Sequence, residues 1–309
     1  MSEESFVRFL RDHTAKQTTS PGDDCAVLTE FSPPLLATVD CMVNEVHFTE
    51  EASTRQLANK LIGINLSDIA AMGGRPEWSL LTIANSRSIS DIQTFTSDVI
   101  DRLQNLDIDL IGGDLSSASD SQEEYLSLTL LGQASETGYL ARSSARPGDC
   151  VVVSGSLGGV RAELATLDSR QAAAQSDRLY DPPNRVSLGQ TAVEAGVRAG
   201  MDISDGLIKD LKRFCKASGI GAILDYEDVP VDPRSKELAE SPEEALQWAL
   251  DGGEDFELLL AVPPDSLSSI KEEFDVSVIG QFRDKRGIDW DPPLPESVTR
   301  TDFGYDHFD

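Results

Sequence analysis

The stretch Asn65-Leu66-Ser67-Asp68-Ile69-Ala70-Ala71-Met72-Gly73 constrains this chain more than any other, because it sets one carboxylate inside a run that otherwise reads as buried. A charge in such a place is costly unless something positive meets it. Apolar residues at Leu57, Leu61, Ile64 and Ile69 predict a helix that opens at Thr54 as N-cap and stops at Gly73-Gly74 and Pro76. On this pattern alone Asp68 is either a metal ligand or a satisfied buried hydrogen-bonder.

The pattern recurs along the chain. Gly22-Asp23-Asp24, Val39-Asp40, Gly112-Gly113-Asp114, Asp202-Ile203-Ser204-Asp205-Gly206 and Gly252-Gly253-Glu254-Asp255 all set acids at the end of an apolar or glycine-marked segment. In α/β folds, strand ends are where ligands bind. The cysteines Cys25, Cys41, Cys150 and Cys215 are spread without a Cys-x-x-Cys pair, and His13, His47 and His307 lie far apart, so a soft-metal site is not indicated. No Gly-Lys dipeptide, Gly-x-Gly-x-x-Gly fingerprint or Gly-x-Ser-x-Gly elbow occurs. What remains is a set of hard oxygen ligands suited to magnesium, which takes few protein ligands and bridges to phosphate oxygens. Metal-dependent phosphate chemistry is the reading; an acidic surface with several aspartate caps is the plain alternative.

Charge narrows the partners. With 26 Lys+Arg against 54 Asp+Glu the net charge is -28, which opposes binding to nucleic acid or to an anionic membrane. No apolar run approaches the roughly 18 residues that span a bilayer, and Met1-Ser2-Glu3-Glu4 is acidic where a signal peptide is basic. The expected compartment is the cytoplasm. The 309 residues are enough for two domains. Strands are expected at about 26–28, 35–40, 78–84, 107–111, 125–132, 150–154, 222–224 and 256–262. Helices are expected at 5–12, 54–72, 91–106, 158–167, 187–199, from 207, and at 242–250. The border is placed near residue 140, giving α/β domains 1–140 and 141–309, each a mixed sheet with flanking helices and the site in the cleft where both sets of acids converge. Ser204 or Asp205 also reads as the N-cap of the helix with Leu207, Leu211 and Phe214 on its apolar face. The aromatic tail Phe303, Tyr305 and Phe308 is expected to dock rather than fray.

Taken in order, Gly22-Asp23-Asp24, Asn65 to Gly73, Leu110-Ile111-Gly112-Gly113-Asp114, Asp202 to Leu207, Gly252 to Leu258 and Gly304-Tyr305-Asp306-His307-Phe308 resemble the thiamine-monophosphate kinase family, of the superfamily that includes aminoimidazole ribonucleotide synthetase. The resemblance runs nearly end to end. It implies the two-domain α/β fold of that superfamily and direct in-line transfer of the γ-phosphoryl group of ATP to thiamine phosphate, giving thiamine diphosphate and ADP. By the same resemblance Asp24, Thr38, Val39, Asp40, Asp68, Asp114, Asp202 and Asp205 would hold several magnesium ions. Gly113, Asp114, Arg142 and Ser204 would contact ATP, and His47, Glu254 and Tyr305 would line the thiamine phosphate pocket. A homodimer through the first domain is implied as well. The family commonly has Ser-Thr-Asp where this chain has Thr38-Val39-Asp40, so a ligand at Val39 is its backbone carbonyl or is lost.

Bland readings stay open beside these: His47 as a packed histidine and Glu254 as the cap of a Gly-Gly turn. No nucleophilic Cys, His or Ser constellation stands out, so positioning and charge neutralisation carry the transfer. Rival readings are another ATP-dependent enzyme of the superfamily, of the selenophosphate synthetase or hydrogenase-maturation kind, and a non-catalytic, metal-loaded acidic binding protein. Selenophosphate synthetase is expected to carry a reactive N-terminal Cys near a Lys, and the only lysine before residue 60 is Lys16.

Overall fold

The computed structural model describes residues 23–85, 89–117, 124–166 and 176–298. The expected helix at 5–12 and the aromatic tail with Tyr305 lie outside these residues. The first sheet is built from β1 (Ala26–Leu28), β2 (Leu35–Val43), β3 (Arg75–Asn85), β4 (Asp109–Ser117) and β5 (Tyr125–Gln133), with helices α1 (Thr54–Ala71) and α2 (Ile89–Gln104) between strands. Its order is β1-β2-β5-β3-β4, antiparallel throughout except for the parallel pair β3 and β4. Alternation along the strands gives the sheet two unlike faces. Leu36 and Met42 of β2 and Leu126, Leu128 and Leu130 of β5 are buried in one core with Leu57, Leu61 and Ile62 of α1 and Phe95 and Val99 of α2. Val39 and Tyr125, on the opposite face, are exposed.

The second sheet is also mixed. It contains β6 (Cys150–Ser154), β7 (Ala199–Ile203), β8 (Gly221–Leu224), β9 (Glu257–Val262), β10 (Val276–Arg283) and β11 (Gly287–Trp290). Its order is β11-β8-β10-β6-β9-β7, with only the β11 and β8 pair parallel. Its helices, in chain order, are α3 (Gly159–Thr166), α4 (Asp177–Tyr180), α5 (Val186–Glu194), α6 (Leu207–Ser218), α7 (Pro233–Leu238), α8 (Pro242–Asp251) and α9 (Leu267–Glu273). Among the described residues no helix is long and apolar enough to cross a membrane.

Several local expectations are corrected. Ser53, not Thr54, is the N-cap of α1: its side chain accepts from the Gln56 amide while the Gln56 side chain accepts from the Ser53 amide. The strand expected to stop at Ile111 runs on to Ser117, so Gly112-Gly113-Asp114 lies inside β4 rather than after it. Gly113 is needed there, since a Cβ would sit 1.9 Å from the Leu81 carbonyl oxygen of β3. The helix expected to reach residue 199 ends at Glu194, Gly196 just beyond it takes φ +87, and Ala199–Ile203 form the fully buried strand β7. Neither Ser204 nor Asp205 caps α6; its N-cap is Gly206. The sequence reading also assigns nothing to α9, β10 and β11.

The C-terminal end of α1 leaves the first core and enters a second. Ala70 and Ala71 pack with Leu188 and Ala192 of α5 and with Leu258 and Leu260 of β9. Close approach is what permits this: a Cβ on Gly189 would stand 2.0 Å from the Ala70 carbonyl oxygen. That oxygen is backbone and cannot swing aside. Gly189→Ala is therefore expected to separate α1 from α5 and cost roughly 1 to 3 kcal/mol of stability, read as a lower urea midpoint. An unchanged midpoint would show that the two helices have slack.

Candidate functional site

Three acids remote in sequence meet where α1 passes from one sheet to the other. Asp24 precedes β1, Asp68 lies in the last turns of α1, and Asp202 lies in β7. Carboxylate oxygens of these three all lie within 4.8 Å of one another. Each is held by its own partner: Thr38 Oγ1 donates to Asp68, Ser67 Oγ donates to Asp202 at 2.8 Å, and the Asp202 amide donates to Asp24 at 3.4 Å. Burial, then the charges of Asp40, Asp202 and Asp24, holds the Asp68 carboxyl well above the usual carboxylate range. Burial likewise raises Asp202, with Asp24 and Asp210 adding to the effect. Asp40 is pushed up to about 6 by burial and by Glu254 and Asp24. A divalent cation with hard oxygen preferences fits this donor set, because it would meet charge that the protein leaves largely uncompensated.

One cation already faces the cluster. Arg142 grips Asp24 with two bonds, Nε to Oδ2 at 2.9 Å and Nη2 to Oδ1 at 2.6 Å, and its amide donates to Asp23 Oδ1 at 2.8 Å. Burial disfavours the charged guanidinium, but Asp24 and Asp202 more than offset it and keep Arg142 protonated. Asp40 is fixed from its backbone, its amide donating to Asn65 Oδ1 at 3.1 Å. Val39 turns its side chain to the opposite face of the sheet, where it is 62% exposed.

The loop after β7 is organised by a residue that sequence reasoning missed. Asp210 Oδ2 accepts from the amides of Ser204 at 3.1 Å, Asp205 at 2.9 Å and Gly206 at 3.2 Å. Its other oxygen accepts from Arg213 Nη1 at 2.9 Å, and the same nitrogen reaches Asp205 Oδ2 at 2.5 Å. Burial, reinforced by Asp205, pushes Asp210 up to about 6. The available signal was an acid on the apolar face of α6, next to Leu211.

On the other side of the cluster stand His47 and Glu254, from different halves of the chain. His47 Nδ1 accepts from the Val43 amide at 3.0 Å, and Glu254 takes a left-handed φ of 71° after Gly252-Gly253. Between them lies Lys60, a second residue missed in the sequence, in ion pair with Glu254 at 2.6 Å. A cavity of about 370 Å³ opens beside Glu254, lined in part by Gly155, Ser156, Arg178, Arg185 and Asp255.

Gly113 and Asp114 are not brought to this place within the chain. Asp40 is level with Leu128, Leu128 with Leu81, and Leu81 with Gly113. That is three strand spacings, roughly 14 Å. Asp114 is level with Thr82, Ser127 and Cys41, in the row on the face away from α1, and is exposed.

Comparison with known proteins identifies relatives over most of the chain. Residues 22–134 match the family described as AIR synthase related protein, N-terminal domain, and residues 146–290 match its C-terminal domain. The thiamine-monophosphate kinase of Escherichia coli K12 is 38% identical over 253 residues, covering 78% of this chain and 75% of its own. That of Haemophilus influenzae is 32% identical over 307 residues, covering 94% and 91%. A solved structure of AaThiL complexed with AMPPCP and TMP has a TM-score of 0.85 at 27% identity, covering 99% of this chain and 97% of that one.

A cation that fits three mutually repelling carboxylates stabilises the fold by mass action, by about 2.7 kcal/mol at a hundred times its dissociation constant. Adding magnesium to metal-stripped protein should therefore raise the melting temperature. Asp68→Asn should raise the melting temperature of the stripped protein and remove most of the magnesium-dependent shift. A variant that keeps the full shift would take Asp68 out of the metal site.

Proposed function

The chain belongs to the thiamine-monophosphate kinase family, and from that premise we propose that the acids converging on α1 serve the ATP-dependent phosphorylation of thiamine phosphate to thiamine diphosphate, a step of thiamine biosynthesis. The observation that carries the reading is the meeting of Asp24, Asp68 and Asp202 within 4.8 Å, with Arg142 beside them. Asp24, Asp68 and Asp202 would hold magnesium, with Thr38, Asp40 and Asp205 completing the oxygen set. Bound there, the metal neutralises phosphate charge and orients the transferring group.

The remaining work falls to the chain itself. Arg142 and Ser204 contact ATP, Arg142 by turning part of its fork from Asp24 to a phosphate. His47, Glu254 and Tyr305 hold thiamine phosphate, and the cavity beside Glu254 has the volume expected of a small-ligand site. A carboxylate there suits a substrate that carries a thiazolium cation. Among the described residues, Cys25 follows Asp24 but is buried in the first core, and the exposed Cys41 lies in the sheet row facing away from α1, so neither thiol serves as nucleophile and the acceptor phosphate attacks directly in line. The dependence on ATP fits a cytoplasmic enzyme.

A homodimer is part of the same reading. The face of the first sheet turned away from α1 carries Val39 and Leu80 in one row, both level with Thr129, and Tyr125 four residues before Thr129 on β5; they are 62%, 36% and 45% exposed. Exposed apolar side chains gathered on one sheet face mark an interaction surface, and a second copy of this chain presents the same one. Asp114 lies on that face, which ties its part in phosphate binding to the second copy.

Incubation with ATP, magnesium and thiamine phosphate should yield thiamine diphosphate, with activity still rising after magnesium equals ATP. ATP consumption indifferent to thiamine phosphate would overturn the assignment. Sedimentation should give twice the 33.5 kDa chain mass, and Leu80→Asp should return the protein to a monomer. A monomeric wild type would remove the dimer from the proposal.

A further inference from the structure

Lys60 extends from α1 into the joint between the two sheets and is 1% exposed. A buried ammonium persists only where its charge is met. Its Nζ lies 2.6 Å from Glu254 Oε2, donates to the His47 carbonyl oxygen at 2.8 Å, and stands 5.9 Å from the centre of the Tyr180 ring. Those contacts select the two described residues of the proposed thiamine phosphate pocket. His47 follows β2 of the first sheet, and Glu254 precedes β9 of the second. The Glu254 backbone is in the left-handed region, with its amide donating to the Ser204 carbonyl at 2.8 Å. The direction of its carboxylate is thus set from two ends, by an unusual backbone and by the lysine.

We infer that Lys60 is a positioning residue for the substrate pocket. It fixes the Glu254 carboxylate and the His47 loop at a set separation and engages Oε2, leaving Oε1 as a directional acceptor for a cationic or hydrogen-bond-donating group of thiamine phosphate. The inference rests on the function proposed above. An apolar side chain of similar length at this position leaves Glu254 without its buried counter-charge and free to turn, so the loss falls on recognition of thiamine phosphate rather than of ATP.

The test is steady-state kinetics on the full chain for the wild type, Lys60→Met, Lys60→Arg, Glu254→Gln and the Lys60→Met/Glu254→Gln double variant, with a melting curve for each. A wild type without thiamine-phosphate-dependent turnover would sink the function itself, and with it the premise. With an active wild type, Lys60→Met should raise the KM for thiamine phosphate roughly ten-fold or more while the KM for ATP stays within about two-fold. Lys60→Arg should recover most of the loss, and the double variant should be no worse than the weaker single variant, because the lysine acts through the carboxylate. Overturning results are an unchanged KM for thiamine phosphate, a parallel rise in both constants, or losses that multiply in the double variant. A Lys60→Met protein too unstable to assay, not restored in melting temperature by the added Glu254→Gln, would make Lys60 a support of the fold and overturn the inference as well.

Discussion

Everything in this molecule is arranged around the repulsion between Asp24, Asp68 and Asp202. Three carboxylates within 4.8 Å of one another do not assemble of their own accord. They are held there because the elements that carry them are fixed by apolar packing elsewhere: α1 by Leu57, Leu61 and Ile62 in one core and by Ala70 and Ala71 in another, and β7 by its place at the edge of the second sheet. The site is thus paid for by the cores, and a cation returns part of the cost.

The same arrangement couples the two sheets through polar contacts as well as apolar ones. Ser67 to Asp202, Arg142 to Asp24 and Lys60 to Glu254 each join residues far apart in the chain. All three sit in or beside the cleft. A displacement of one sheet relative to the other would therefore disturb the acid cluster, Arg142 and Glu254 together.

Most of the strands and the long helix were legible in the sequence because alternation and helical spacing report burial directly. Asp68 and Asp202 stood out because an acid in an apolar run is expensive. The failures have equally physical causes. Gly112-Gly113 reads as a stop, yet in β4 glycine is what lets a strand lie against the Leu81 backbone. Ala199 to Ile203 was hidden by the helix-like composition before it, and only Gly196 marks the break. Lys60 and Asp210 escaped notice because a lone charge on an apolar helix face acquires its meaning from a partner distant in the chain or from backbone amides, and neither is visible in spacing. The rows that put Asp40 and Asp114 on opposite faces follow from strand order, which no local pattern encodes.

The Asp210 cage has a consequence for how phosphate can be held here. The start of a helix after a glycine turn is ordinarily a ready anion site, with free amides and the positive end of the macrodipole. In this chain the amides of Ser204, Asp205 and Gly206, at the mouth of α6, are already committed to a carboxylate of that helix. The loop is thereby made rigid and electrically self-contained. An anion approaching this turn finds those three amides already occupied by an internal carboxylate, so any attraction there has to come from cations.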